Sequence, residues 1–322
     1  MKLTGHPWCA ALCLAFAAHA AAAADYPVKP LTIIVPFSGG SGSDATARYY
    51  AERMAPLLGQ PIVVENRPGA DGAIGMVAAK HAPADGYTLV QGGISPSVVN
   101  AVMMKAPGYD PLEDFVPVLG YGRNMNVLIT RIDAPFATVS EAVAHGRSTG
   151  RPLNIGTFST TLKLAAAWLG KGLGIDLQSI PYKGQTQAIN DVIGGQLDLA
   201  LVDLGGATPL LKGGQIKAIA VTGQERSPDF PQVPTVAESG VPDYVLYSWN
   251  AFFVRSETPA DIRERLAQAV RTVMTDADTV EKFYRPKGTE GIPDDANEVR
   301  ELQRREIERF RQVADELDLE RQ

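Results

Sequence analysis

Leu31-Thr-Ile-Ile-Val-Pro-Phe37, then Ser38-Gly-Gly-Ser-Gly-Ser-Asp44, then the helical pattern from Ala45 to Leu58: the fold class turns on these residues. The first segment is apolar and rich in β-branched residues, so it reads as a buried strand. The Gly/Ser run that follows suits a tight turn rather than either regular element. A strand, a glycine-rich turn and a helix in that order make one unit of an α/β sheet. Outward from it, Pro61 to Val64 reads as the next strand, and Asn66-Arg-Pro-Gly-Ala-Asp-Gly-Ala-Ile-Gly75 as a loop and helix start. Tyr87 to Val90 is a third strand, broken by Gly92 and Gly93. Val127 to Thr130 is a strand that follows a stretch punctuated by Pro and Gly.

The second half repeats this grammar. Leu153 to Gly156 is a strand, Thr157 to Thr161 a polar turn, and Leu162 to Leu169 a helix. Ala188 to Ile193 is helical, Leu197 to Val202 is a strand ending at Asp203, and Ile216 to Val221 is another strand. Tyr247 to Val254 is apolar and aromatic and is expected to cross between domains. Thr258 is expected as an N-cap, with Pro259 at the first helical position and Asp261 at the third. Ile262, Leu266, Ala269, Val270 and Val273 then share one helical face. The charged stretch from Asn297 to Leu319 reads as a single docked helix whose stripe is Val299, Leu302, Phe310, Val313 and Leu317.

Composition bounds the function. A chain of 322 residues with 45% hydrophobic content exceeds one small core, so two domains are expected. A net charge of −6 argues against a nucleic-acid partner, which calls for a basic face. Residues 1–24 have a short positive start at Lys2, an apolar stretch from Trp8 to Ala18 and an Ala22-x-Ala24 site. That is the pattern of an export signal cleaved after Ala24, giving a periplasmic protein with no membrane insertion. Both cysteines, Cys9 and Cys13, and two of the four histidines fall in this segment. The remainder keeps only His81 and His145, which leaves no disulfide framework, no Cys nucleophile and no expected metal or cofactor.

Two strand-loop-helix junctions have the composition of an anion site. At the first, Ser38, Gly39, Gly40 and Ser41 allow close backbone approach, and the following helix points its positive end at the loop. At the second, Thr157, Ser159, Thr160 and Thr161 add hydroxyls. Both loops also read as ordinary tight turns. Asp44 is taken as a supporting helix-start carboxylate. Ser95 and Asp203 lie at further strand ends; Asp203 either orients a ligand amine, hydroxyl or water, or caps a turn. Lys183 and Arg123 read as solvated or structural cations. No G-x-S-x-G elbow, HExxH or paired-carboxylate motif occurs, so no catalytic residue is assigned.

The chain resembles the periplasmic solute-binding receptors of tripartite tricarboxylate transporters, the Bug-type proteins, from about Tyr26 to the C-terminus. The motifs are YPVKPLTIIVPF, VVENRPGADGAIG, APADGYTL, YDPLEDFVPV, IPYKG, GGQLDLALVD, KGGQIKAIAVTGQERSP and VPTVAESGVPDY, in that order. The resemblance implies an α/β, two-lobed periplasmic-binding-protein fold, with a ligand cleft between the lobes and two interlobe crossings. Lobe one is expected from residues 25–126 plus 247–322, and lobe two from 127–246. It also implies a monomeric receptor that closes on a small organic acid and delivers it to the transporter's membrane subunits. Main-chain amides and hydroxyls of Gly39, Gly40, Ser41, Thr157, Ser159 and Thr160 would hold the carboxylates. The second loop departs from the family's usual Ser/Gly-rich form: TFSTTLKL brings in Phe158, either a ring contact or packed away from the cleft. Ser41 replaces a common glycine, and SPSVVN (Ser95 to Asn100) stands where a polar residue or His is frequent. These departures point to a larger or aromatic carboxylate. The two junctions, one in each half, suit an acid with acidic groups at one or both ends, so a dicarboxylate or aromatic acid is expected. Two other functions fit the same residues: an exported carboxylate-ester hydrolase, and a ligand-sensing adaptor for a sensor kinase.

Overall fold

The structure, a computed structural model, describes residues 26–292 and 294–321. The expected signal segment and its cleavage point lie outside these residues. The chain runs β1 (Leu31–Val35), α1 (Gly42–Leu58), β2 (Ile62–Asn66), α2 (Ala73–Lys80) and β3 (Thr88–Gly93). A wide turn at Ser95–Val99 leads into the short α3 (Asn100–Met103), and then comes the long β4 (Phe115–Arg131). Next are α4 (Val139–Thr149), β5 (Leu153–Thr157), α5 (Thr160–Leu173), β6 (Leu177–Pro181), α6 (Gln185–Ile193), β7 (Leu199–Asp203), α7 (Leu204–Lys212) and β8 (Ile216–Val221). The last elements are β9 (Tyr247–Arg255), α8 (Ala260–Thr275), β10 (Thr289–Glu290) and α9 (Ala296–Glu316).

The repeated grammar of the two halves becomes repeated topology. β1 lies between β2 and β3, all parallel, and β5 lies between β6 and β7, again all parallel. The ladder as a whole runs β2-β1-β3-β9-β4-β7-β5-β6. β4 joins the halves. Its residues Phe115 to Met125 pair antiparallel with β9, and from Asn126 onward it pairs with β7 and β8. The fold is therefore two-lobed, with one crossing along β4 and a second where the chain enters β9. In such sheets ligands sit beyond the carboxyl ends of the strands. The loops after β1 and β5, the central strand of each half, are placed to face each other there.

Each lobe has its own core. Leu31, Ile33 and Val35 pack with Tyr50 and Met54 of α1 and with Leu266 and Val270 of α8. Val127, Ile129, Ala200 and Val202 pack with Ile189 and Val192 of α6. A third cluster runs behind both, from Val90 and Phe253 to Leu153 and Ile155, and takes in Val299, Ile307, Phe310 and Val313 of α9. The charged C-terminal stretch is thus one docked helix, as its stripe predicts, with Leu302 and Leu317 at the edge of the contact.

Three local expectations change. The strand read as Val127 to Thr130 is the end of a strand of 17 residues. Pro117, Gly120 and Gly122, which read as breaks, sit at register shifts against β9, and such bulges accommodate Pro and Gly within a strand. β7 begins at Leu199 rather than Leu197. Pro259, not Thr258, is the N-cap of α8, and it makes no side-chain cap; Thr258 lies one residue further out with its hydroxyl buried and unpaired.

Candidate functional site

The loop after β1 is organised by its own helix start. Ser41 caps α1, its hydroxyl accepting the Asp44 N–H at 3.2 Å. The Asp44 carboxylate turns back beneath the loop. It accepts the Gly40 N–H at 2.8 Å and the Asn66 amide at 3.0 Å, and it pairs with Arg48 at 3.0 Å. The Arg48 guanidinium, then the Gly40 amide and Asn66, hold its carboxyl down at about 2. Gly40 adopts φ +79°, a conformation that side-chain-bearing residues rarely take, and this aims its N–H at Asp44. The Gly40 amide is therefore occupied within the chain, and neither Gly39 nor Gly40 lines the cleft. The Gly40 amide, expected as a ligand donor, is thus directed at Asp44 instead. Ser38 and Ser41 do line it, together with Gly42 and Ser43, the first residues of α1. Of the first-turn amides, which have no intrahelical acceptor, Asp44's is taken by Ser41, while those of Gly42 and Ser43 are free for an anion.

The loop after β5 follows the same plan with different outcomes for its hydroxyls. Ser159 caps α5, accepting the Leu162 N–H at 3.2 Å. Phe158 and Ser159 line the cleft, and so does Thr161. Thr157 does not: its buried hydroxyl shares a 2.7 Å hydrogen bond with Ser179 on β6. Thr160 is also absent from the lining, because its hydroxyl donates to the Asp71 carboxylate of the opposite lobe. Both were expected to meet the ligand; one belongs to the sheet and the other to the lobe interface.

Asp71 escapes sequence reasoning altogether. It sits just before α2 with φ +46°, next to Ala70 at φ +47°, a left-handed conformation that costs a non-glycine residue energy. The buried Asn100 steadies it by donating to the Asp71 carbonyl at 3.2 Å. A second interlobe bond lies alongside, with Ser95 and Thr161 hydroxyls 3.0 Å apart. Ser95 thus lines the cleft, as expected, and also ties it shut.

The cleft between these loops has a volume of about 610 Å³. Its floor is polar: Gln91 of β3, Asn124 and Asn126 from the middle of β4, and Ser248 at the start of β9 line it, none of them expected. The signal that marks them is polar residues inside otherwise apolar strand patterns. Phe283 and Lys287, from the segment after α8, close one side, with the Lys287 Nζ 3.3 Å from the Phe283 ring centroid. Burial pulls the Lys287 ammonium below its ordinary value. Lys183 lines the cleft as well. Arg123 does not; it pairs with Glu290 at 3.2 Å and stacks on Tyr247, the structural role.

Asp203 ends β7 and faces the cleft. Its backbone N–H donates to Gln185 at 3.1 Å, and its side chain makes no cap on α7, which removes the turn-capping alternative. Burial pushes its carboxyl up to about 6. Gly205, two residues on, has the carbonyl oxygen of Lys287 only 2.0 Å from where a Cβ would stand, so a glycine is required for the lobes to meet here. His81 and His145 are not part of the lining. Among the described residues no group of three or more His, Cys, Asp or Glu is arranged so that it could hold a metal ion, and no helix is long and apolar enough to cross a membrane. Chemically the site offers two helix N-termini, hydroxyls, amides, the Lys183 and Lys287 ammonium groups and the Asp71 and Asp203 carboxylates.

Comparison with known proteins agrees with this architecture. Protein BugT of Bordetella pertussis is 34% identical over 263 residues, covering 80% of this chain and 80% of that one. A solved R. palustris protein with adipate is 31% identical with a TM-score of 0.81, covering 91% of this chain and 99% of that one. MatC from Rhodopseudomonas palustris with bound malate is 29% identical with a TM-score of 0.78, covering 89% and 99%. The family described as the tripartite tricarboxylate transporter family receptor matches residues 46–319. The chain is thus a solute-binding protein of the Bug type and belongs to the tripartite tricarboxylate transporter receptor family.

Proposed function

We propose that the protein captures a small organic carboxylate, a dicarboxylate or an aromatic acid, by lobe closure in the periplasm and delivers it to a tripartite tricarboxylate transporter. One observation carries this reading: the N-termini of α1 and α5, each capped by a serine, open onto the same cleft from opposite lobes. Free amides and two helix dipoles then supply the positive potential that no arginine of the lining supplies. Phe158 on the wall favours an acid with an apolar or aromatic body. That relatives of this chain were solved with adipate and with malate supports a dicarboxylate. No serine or threonine hydroxyl of the lining is hydrogen-bonded to a basic side chain among the described residues, and binding without turnover is the expected behaviour.

In this reading lobe one comprises residues 25–126 and 247–322, and lobe two residues 127–246. The change of β4 partners at Asn126 and the start of β9 at Tyr247 support those limits. Residues 1–24 serve as the export signal, and the working receptor is a monomer. Calorimetric titration with a panel of aliphatic and aromatic acids tests the function. At least one acid binds, and the same acid is recovered unchanged. A panel with no response removes the proposal, and a recovered hydrolysis product from a carboxylate ester replaces it with an enzyme.

A further inference from the structure

The end of the cleft at the two interlobe crossings of β4 and β9, its hinge end, carries an excess of hydrogen-bond acceptors that the carboxylate-binding loops do not explain. Asn124 and Asn126 are two residues apart on β4 and so project from the same face of the strand. Register sets Asn126 against Asp203 of β7, and Asn124 between Ser248 of β9 and Thr289 of β10. Asn126 is 1% exposed and its side-chain Nδ2 donates to Ser248 at 3.4 Å, but its Oδ1 has no partner among the described residues. The Asn124 Oδ1 is buried and unpaired in the same way. Asp203, half-buried at the end of β7, turns toward the same cleft with no side-chain partner for its carboxylate among the described residues. The buried, unpaired acceptors are thus the two asparagine oxygens, and Asp203 borders them. Burial alone raises it, with no cation opposing the shift.

Buried acceptors left without donors are costly, so this patch is built to meet a donor. A second plain carboxylate would bring only more acceptors, and a negative charge against Asp203. A hydroxyl or an ammonium would satisfy the patch. We infer that the hinge end of the cleft selects carboxylates that also carry a hydrogen-bond-donating group, hydroxyl or ammonium, received by Asp203 together with Asn124 and Asn126. The inference rests on the carboxylate-receptor reading above. It divides the ligand between two ends of one cleft: the acid at the helix N-termini, and the donor at the hinge.

The test is calorimetry with two matched series: succinate, L-malate and L-aspartate, and benzoate, 4-hydroxybenzoate and 4-aminobenzoate. In at least one series the donor-bearing acids bind about 10- to 100-fold more tightly than the parent, the worth of a hydrogen bond to a charged group. The hydroxyl and amino arms show which donor is preferred. Asp203→Asn reduces the donor-to-parent ratio at least roughly threefold, and Asn126→Leu does the same if the first variant fails to fold. The ratio is the readout, so a general loss of affinity in a variant leaves it unaffected. A wild-type protein that binds parent acids as tightly as their donor-bearing partners overturns the inference and leaves the receptor reading standing. So does a ratio unchanged in both variants. Failure to bind any of the six acids, or any in the wider panel, overturns the receptor reading itself and this inference with it.

Discussion

Thr160→Val removes one hydroxyl from the lobe interface and changes almost no volume. That hydroxyl donates to the Asp71 carboxylate across the cleft, so the bond exists only when the lobes are together. A hydrogen bond to a charged group contributes about 1.5–3 kcal/mol, and both residues are half-buried, which places this one at the lower end. A loss of about 1.5 kcal/mol from the closed form weakens acid binding roughly tenfold. The remaining Ser95–Thr161 bond keeps the loss from being larger. Calorimetric titration of wild type, Thr160→Val, Asp71→Asn and the double variant is the assay. Each single variant loses roughly tenfold in affinity and the double loses little more, because the two side chains act as one unit. His145→Ala, remote from the cleft, leaves the affinity unchanged. A tighter-binding Asp71→Asn beside a weaker-binding Thr160→Val would refute this pairing. That pattern would mean that Thr160 touches the acid and that Asp71 merely repels it.

Three further outcomes follow from the same geometry. Ser159→Ala removes the cap of α5 and lowers folding stability by about 0.5–2 kcal/mol in urea unfolding, with a parallel loss of acid affinity as the first turn frays. Asp203, raised from 3.8 to about 6 by burial, keeps its proton in the folded protein where the unfolded chain has released it. Its contribution to ligand-free stability is therefore lost as pH rises from about 4 to about 6, by at most roughly 3 kcal/mol, and Asp203→Asn flattens that slope. Gly205→Ala drives a Cβ into the Lys287 carbonyl. Overpacking of this kind costs about 1–3 kcal/mol, read here as weaker ligand binding and a larger radius of gyration by X-ray scattering.

The parts of the molecule legible in the sequence are those fixed by neighbours in the chain. The strand at Leu31, the turn after it and the helix that follows are all local signals, and so is the matching set at Leu153. The capping serines Ser41 and Ser159 fall inside loops marked by composition alone. What the hydroxyls and amides within those loops do is not legible there. Gly40 is claimed by Asp44, Thr157 by Ser179 and Thr160 by Asp71, and the last two partners lie 22 and 89 residues away. The cleft floor is a product of register. Gln91, Asn126, Asp203 and Ser248 come from four strands, and only the pairing of β3, β9, β4 and β7 brings them to one surface. Their trace in the sequence is a polar residue in a run that otherwise reads as buried strand, as in Arg123-Asn-Met-Asn-Val-Leu-Ile129. Such a residue in the core has either a partner or a purpose. The start of α8 shows the opposite failure, where Thr258 has the right chemistry for a cap and stands one residue too early to make one.

Everything proposed for the cleft depends on two opposed helix N-termini holding the ligand's acid group. A crystal structure of the protein with its tightest-binding acid is the decisive measurement. Carboxylate oxygens are predicted within about 3 Å of main-chain amides in the first turns of both α1 and α5. An acid held instead by the Lys183 or Lys287 ammonium, with those amides facing water, would contradict that prediction.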